Sequence, residues 1–331
     1  MDASTYVNLL RACYAATPSE ATALRQQRAE WGQRRSEQFD DPEIAAVYSQ
    51  FADVDSGVAQ TGYINDYILR PFRATLPSSL QQRLEQIPVI VLPTRTVNAC
   101  AAKIPGDGPI IIIDSGLLSM CHFYLETKPM LFAIRDKRGM DAAVSYVEDA
   151  YRFVVQYYRR SGEMPFPLPP AGLRLPVQHG VLVALQIMAL ETFVIAHELA
   201  HIHAGHLDEH ATERLSITEA SDLKLEVYQR SWQNEYEADS LGWLWYQKGW
   251  PSISQLRDAP PEVVTAAPLF FFEYLALIEA NVPDIQQRYS SHPSAPQRYL
   301  NLLRQIRKEG THELFQFAVT EAEIVFHMPK L

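Results

Sequence analysis

The chain has 331 residues, enough for one large domain or two smaller ones, and 47% of them are hydrophobic, so a substantial core can be buried. A formal net charge of -10 at pH 7 disfavours nucleic acid and anionic membrane surfaces as partners, because both attract basic proteins. The N-terminus lacks the basic start and long apolar run of a signal peptide, and the three cysteines form no CxxC pair. These features predict a cytoplasmic protein.

The predicted elements begin with helices and then change to strands. Residues that favour helices fill 18–39, and a second helical stretch is expected to follow. Short β-branched runs bounded by Pro, Asn and Gly predict two or three strands within 87–113. We therefore expect an N-terminal helical layer over 1–86 and a second domain over 87–331.

Helices predominate after the strands. Aromatic and aliphatic residues at helical spacing predict a helix over 139–160, and five prolines within 165–176 predict a loop. The glycines and prolines downstream delimit four more predicted helices, at about 177–204, 218–248, 261–280 and 294–308. The most apolar stretch, 181–196, is short for a membrane span and contains polar residues, so it is interpreted as a buried core helix.

A metal-binding pattern lies near the end of the predicted helix over 177–204. Residues 197–201 read His-Glu-Leu-Ala-His, and on a helix His197 and His201 lie one turn apart, so both imidazoles can bind one metal ion. Glu198 is rotated about 100° from His197, where its carboxylate can act as a general base on a water held by the metal. Zinc suits this chemistry because it lowers the pKa of a bound water to about 7.

A catalytic zinc ion also needs a third protein ligand, and the next predicted helix contains one. Residues 234–239 read Asn-Glu-Tyr-Glu-Ala-Asp, in which Glu235 and Asp239 are four apart and share one helix face. We expect Glu235 to be the third ligand of a single zinc ion per chain. Asp239 is expected to accept a hydrogen bond from the outer nitrogen of a zinc histidine. Glu237 is expected to point elsewhere on the helix.

Other histidines near the motif fit a metal site less well. On a continuous helix His206 would face away from the first motif histidine. The metzincin pattern also fails, because Ala204 and Leu207 stand where it requires glycine and histidine. We therefore interpret His203, His206 and His210 as solvated side chains or as supports behind the ligands.

The two motifs together resemble those of the gluzincin metallopeptidases, specifically the HtpX and CAAX prenyl protease family, in which a helical HExxH motif precedes an ExxAD motif. The resemblance implies that Glu235 is the third zinc ligand and that Asp239 supports the site from behind. It also implies an α+β, mainly helical, zincin-like fold. In that fold the HExxH helix lies beneath a small β-sheet and is crossed by the helix that carries the third ligand.

A segment in the predicted strand region resembles the same family. Residues 98–101 read Asn-Ala-Cys-Ala and are followed by the run Pro-Ile-Ile-Ile-Ile-Asp. In the family this stretch contains a strand that edges the active-site cleft and pairs with an extended substrate. The resemblance therefore implies contact with a peptide for four residues: Asn98, Ala99, Ile111 and Ile112.

A third segment resembles the family near the predicted last helix. Residues 291–293 read Ser-His-Pro, similar to a family motif whose histidine helps to stabilise the oxyanion, which implies that role for His292. A histidine in a turn before the following helix is an equally good interpretation. Arg298 is interpreted as a structural partner.

The chain also departs from that family. Cys100 replaces the usual aromatic residue, no integral membrane span is predicted, and the segment at about 122–176 is interpreted as a long insertion that restricts access to the cleft. The sequence predicts a zinc metalloendopeptidase that acts on protein or peptide substrates. Two alternatives stay open: a zinc hydrolase of short peptides or small amides, and a non-catalytic sensor or binding module. Glu198 argues against the second, because a structural metal site needs no base.

Overall fold

The structure is a computed structural model, and it describes residues 3–13, 26, 30, 33, 61–76, 78–92, 97–159, 177–208, 213–216, 224–227, 231–282 and 292–308. Most of the helix predicted over 18–39, the helical stretch after it and the proline-rich loop over 165–176 lie outside these residues. Helices predominate among the described residues and surround one small mixed sheet. The prediction of a mainly helical α+β protein is confirmed at this level.

Five strands of the described residues form the sheet, in the spatial order β1-β3-β2-β5-β4. Their bounds are Val89–Leu92, Ala99–Lys103, Pro109–Asp114, Glu213–Ser216 and Lys224–Val227. β3 is parallel to β1 and antiparallel to β2, and β5 is antiparallel to both β2 and β4. Two or three strands were predicted within 87–113, and the structure has three there, the last of which ends at Asp114.

The hairpin of β4 and β5 corrects one prediction, because a helix was expected to begin at about residue 218. The alternation of polar and apolar residues in the Lys-Leu-Glu-Val sequence of β5 has the period of a strand and not of a helix. The helix begins only at Trp232, where the Ser231 side chain accepts a hydrogen bond from the Asn234 N–H and caps the first turn.

Helices cover both faces of the first three strands. Their bounds are α1 Ala3–Cys13, α2 Arg70–Arg73, α3 Ser78–Leu84, α4 Ser115–Arg138, α5 Met140–Arg159, α6 Val177–His203, α7 Trp232–Gly249, α8 Ser254–Arg257, α9 Pro261–Asn281 and α10 Ala295–Lys308. A π-helix, Ile64–Leu69, leads into α2, and a short 3-10 helix, Trp250–Ser252, follows α7. The predictions of α5, α6, α9 and α10 are confirmed to within a few residues.

The two faces of the sheet pack against different parts of the chain. Ile111 and Ile113 of β3 point into the main core, whereas Ile110 and Ile112 contact a second cluster that contains Tyr6, Val7 and Leu10 of α1. A strand that is covered on both sides needs apolar residues at every position, and the run of four isoleucines meets this need.

The region predicted as an N-terminal helical layer and the region interpreted as an insertion both contribute side chains to the main core. Ile64 and Phe72 are fully buried in the cluster that also contains α6 and α7, so the described residues from 61 onward share the core of the later segments. Tyr124 of α4 and Val154 of α5 are buried in the same cluster, within the region interpreted as an insertion. Residues 160–176 lie outside the described part of the chain.

In the part of the chain that the structure describes, two helices are long and apolar enough to cross a membrane by length and composition, His179–His203 of α6 and the whole of α9. The most apolar windows of these helices are 56% and 67% buried inside the protein. Burial of this extent is what a core helix shows, and it agrees with the interpretation of 181–196 as a buried helix. Length and composition alone do not assign either helix to a membrane.

Candidate metal centre

The candidate site lies where α7 crosses α6, and a glycine allows the close approach of the two helices. A Cβ atom built at Gly242 of α7 would lie 3.0 Å from both the backbone nitrogen and the Cα of His197 on α6. These are backbone atoms that cannot move without shifting the helix, so a side chain at this position would require the two helices to move slightly apart. The crossing brings Glu235, two turns earlier on α7, up to the motif histidines.

His197, His201 and Glu235 form one compact group. The Nε2 atoms of the two imidazoles are 3.1 Å apart, and the Glu235 carboxylate oxygens lie 3.6 Å from His197 Nε2 and 3.5 Å from His201 Nε2. The potential ligand atoms all lie within 4.8 Å of one another, and all three side chains are buried. Two imidazole nitrogens and one carboxylate oxygen are a donor set of catalytic zinc sites, so these residues fit a divalent metal ion.

The charge of Glu235 is set by its neighbours. Burial would raise the pKa of this carboxyl, but Arg298, His292 and the two motif histidines together lower the pKa well below its usual value. Arg298 Nη1 lies 3.1 Å from Glu235 Oε2, and His292 Nδ1 lies 3.1 Å from Oε1. Glu235 is therefore ionised at neutral pH, the form in which a carboxylate binds a cation.

Asp239 lies behind His197, on the side of the imidazole away from the group. Its Oδ1 atom is 3.0 Å from His197 Nδ1, while His197 Nε2 faces the two other potential ligands. Burial opposes ionisation of Asp239, but Arg298 and His197 lower its pKa. A carboxylate that accepts the outer N–H of an imidazole fixes the tautomer and the ring orientation that a metal ligand needs.

Arg298 of α10 links both acidic residues of α7. Its Nε and Nη2 atoms donate to Asp239 Oδ2 at 2.9 Å and Oδ1 at 2.6 Å, and its Nη1 contacts Glu235. Two parallel hydrogen bonds to one carboxylate fix that group in direction as well as in position. Arg298 is itself buried, and the two carboxylates raise its pKa further above the physiological range against the effect of burial. The guanidinium was interpreted as structural, and its contacts show it to be part of the site.

Glu198 lies between α6 and the sheet. Its Oε2 atom accepts a hydrogen bond of 2.7 Å from the backbone N–H of Ala101 in β2, and the side chain is buried. The carboxylate expected to act as the base is thus held against the strand that the resemblance assigns to substrate binding. Glu198 follows His197 directly, so its carboxylate lies beside the three potential metal ligands but is not one of them.

His292 lies directly before α10, and its ring is about a quarter exposed. Its Nδ1 contacts Glu235, as described above, so the structure brings this histidine to the site. Its role at the oxyanion stays a prediction. Ser291, the first residue of the motif, lies outside the described residues.

The prediction that Ile111 and Ile112 meet a peptide is wrong. Both lie in β3, an interior strand that pairs with β1 on one side and with β2 on the other. Their backbone groups are therefore committed to the sheet. A near-continuous apolar sequence is typical of such an interior strand, and this signal was available in the sequence.

The remaining part of the predicted substrate segment lies in and before β2. The Asn98 carbonyl accepts a hydrogen bond from the Asp114 N–H and so faces β3. Because hydrogen-bonded and non-bonded pairs alternate in an antiparallel ladder, the backbone groups of Ala99 and Ala101 point away from β3. The bond from Ala101 to Glu198 has this outward direction.

His206 was expected to face away from the motif, and this prediction is wrong. Gly205 has φ +78°, a left-handed conformation that ends α6 and turns the chain back. His206 is consequently buried, with Nδ1 2.9 Å from His201 Nδ1 and Nε2 3.4 Å from Glu237 Oε2. His203 is exposed and contacts the Trp245 ring.

The arrangement as a whole can hold a divalent cation beside a buried carboxylate base. The histidines and carboxylates predicted from the two motifs lie together, and Arg298, His206 and the β2 backbone join them from elements distant in the chain. The last histidine near the motif, His210, lies outside the described residues. Comparisons with protein-family models, curated proteins and solved structures find no match to this chain.

Proposed function

We propose that the protein is a zinc-dependent metalloendopeptidase with a zincin-like fold, akin to the HtpX and CAAX prenyl protease family. The observation that carries the proposal is the buried group of His197, His201 and Glu235 with Glu198 beside it. The first three residues would hold one zinc ion per chain. When bound, zinc supplies Lewis-acid chemistry, since it lowers the pKa of a water ligand and polarises the carbonyl under attack.

The reaction that these residues support is hydrolysis of a peptide bond. Glu198 takes a proton from the attacking water and delivers it to the leaving amine, first as general base and then as general acid. Asp239 holds the imidazole of His197 in its ligating tautomer, and Arg298 holds Asp239. His292 is the candidate donor to the oxyanion.

The edge of β2 that faces away from β3 favours a polypeptide as the substrate. Ala99 and Ala101 direct backbone groups away from β3, next to the carboxylate of Glu198. β5 meets the same side of β2 at Lys103, so an extended peptide that pairs with Ala99 would continue the sheet in line with β5. Recognition through main-chain groups selects for an extended peptide and not for a small amide.

The proposal is tested by metal analysis of the purified protein together with hydrolysis of casein and of short peptides. We expect one zinc ion per chain, cleavage of casein, and a rate lower by roughly two to four orders of magnitude in Glu198→Gln, which removes the base but no ligand. His203→Ala is the matched control, because this exposed histidine lies on the same helix and outside the metal-binding group.

Each other outcome selects a different function. Zinc without hydrolysis of either substrate would identify a binding module or sensor. Cleavage of short peptides alone would identify a hydrolase of small substrates. A wild-type protein that binds no divalent metal would overturn the proposal.

A further inference from the structure

The two histidines of the group are supported in different ways on their outer sides. His197 has a carboxylate, Asp239, at its Nδ1 atom. His201 has at its Nδ1 atom a second imidazole, that of His206, which in turn contacts the Glu237 carboxylate. The chain Glu237–His206–His201 thus runs from a half-exposed carboxylate to the buried centre of the group.

The tautomers along this chain follow from the chemistry of imidazole. A hydrogen bond between two ring nitrogens needs one N–H donor and one lone pair. If His201 Nε2 offers its lone pair to a cation, the proton of the neutral ring is on Nδ1 and is donated to His206 Nδ1. His206 then carries its own proton on Nε2, which faces Glu237 Oε2 at 3.4 Å. With a cation at His201 Nε2, both contacts are satisfied in only this order of donors and acceptors.

The end of α6 is shaped to produce this contact. Gly205, in its left-handed conformation, allows the His206 N–H to donate to the His201 carbonyl at 3.0 Å, a bond that folds the chain back over the last turn. The same turn brings the His206 ring to within 5.0 Å of the His201 ring, centre to centre. Among the described residues, His206 is not in the group that could hold a metal ion, so its place is behind a ligand.

We propose that His206, backed by Glu237, is a positioning residue that holds His201 in its metal-binding tautomer and orientation. The inference rests on the proposed zinc site and extends it to His206, outside both motifs, and to Glu237, which occupies a variable position of the ExxAD motif. His206 has the larger effect, because it is buried and lies at 2.9 Å from the ligand. Glu237 has a smaller one, because its side chain is half exposed and its contact is longer.

The test is a zinc titration of metal-free protein against a competing chromophoric chelator, which measures affinity independently of activity. We expect His206→Ala to weaken zinc binding by about 10- to 100-fold, the usual effect of removing a group that orients a ligand. His206→Gln is expected to recover most of this loss, because its amide oxygen can accept from His201 while its amide nitrogen donates to Glu237. Glu237→Gln should weaken binding by only about threefold.

Two controls separate positioning from a general loss of structure. His203→Ala should bind zinc as the wild type does, and circular dichroism of the metal-free variants should show the same helix content. Equal zinc affinity in His206→Ala and wild type would overturn the inference, and so would a His206→Gln variant as weak as His206→Ala. If zinc binding depends on His206 but the protein has no peptidase activity, the proposed function is wrong and the positioning role stands. If the wild type does not bind zinc, both the proposed function and the positioning role are wrong.

Discussion

At the scale of single residues, the site depends on buried charges that compensate one another. Glu235 and Asp239 are both ionised inside the core, and Arg298 contacts both of them. Removing one member of a buried ionic group leaves its partners without compensation, which costs more than the intact group contributes. The three residues are therefore coupled, and a change in any one of them affects the others.

Arg298→Ala tests this coupling. We expect the free energy of unfolding of the metal-free protein to fall by about 3–5 kcal/mol, because two buried carboxylates lose their cation. Urea denaturation at neutral pH measures the change. Arg304→Ala, an exposed arginine on the same helix, should alter stability by less than about 0.5 kcal/mol. Similar values for the two variants would contradict the role given to Arg298.

A buried carboxyl outside the metal-binding group, that of Glu191 on α6, predicts that the stability of the protein depends on pH. Burial raises the pKa of Glu191 from 4.5 to about 8, and within the described residues its Oε2 atom has no hydrogen-bond partner. Between these pH values the unfolded chain is ionised at this position while the folded protein keeps the proton. The stabilising contribution is complete below pH 4.5 and is lost as the pH rises through 8.

Glu191→Gln should therefore stabilise the protein above pH 8, by an amount on the order of a few kcal/mol, and should flatten the profile between pH 4.5 and 8. Denaturant unfolding across this pH range checks the prediction. Glu148→Gln, at an exposed position of α5, is the control and should leave the profile unchanged. A Glu191 variant with the wild-type slope would show that this carboxyl does not carry the effect.

At the scale of elements, a sequence motif shows which residues form the site, but helix crossings and chain reversals determine where those residues lie in space. Residues that are four apart on a helix share one face whatever the rest of the fold is. The pairing of His197 with His201 and of Glu235 with Asp239 was therefore predictable from spacing. The contacts of Arg298 and Ala101 arise between elements distant in the chain, and no local pattern contains them.

The errors of sequence reasoning have the same origin. α5, α6, α9 and α10 have long, regular patterns and were predicted, whereas the four-residue strand β5 was mistaken for the start of a helix and its partner β4 was not predicted. The order of strands was not predictable, so β3 was expected at an edge. His206 was misplaced because the geometry of a continuous helix was applied across Gly205, where the left-handed conformation reverses the chain.

Gly242 gives the prediction at this scale. Gly242→Ala should push α7 away from the backbone of His197, lower stability by about 1–3 kcal/mol and weaken zinc binding through the displaced Glu235. Chemical denaturation and zinc titration measure the two effects. Gly62→Ala is the control, because a Cβ there meets nothing within 4 Å, and a helical alanine should leave stability equal or slightly higher. Unchanged zinc affinity in Gly242→Ala would show that the crossing of α6 and α7 accommodates a methyl group without displacing Glu235.

At the scale of the whole molecule, the potential ligands join two helices of the main core. His197 and His201 belong to α6, and Glu235 belongs to α7, with two strands between them in the chain. An ion held by such a set binds the folded protein and not the unfolded one. Metal binding and global stability are therefore linked.

Removal of the metal should lower the thermal unfolding midpoint of the wild type. At free zinc 100 times above its dissociation constant, the linkage is worth about 2.7 kcal/mol. Differential scanning calorimetry at increasing zinc measures the shift, and His201→Ala, which removes one ligand, should show little of it. A midpoint that does not depend on zinc in the wild type would contradict the linkage.

The bond between Arg298 and the two acidic residues of α7 also relates the site to the order of synthesis. A ribosome synthesises α6 and α7 before it adds Arg298, and until then the nascent chain lacks the guanidinium that contacts Glu235 and Asp239. Those carboxylates must stay hydrated, or be protonated, until α10 has been synthesised. Maturation of the centre is thus timed to the arrival of the last helix that the structure describes.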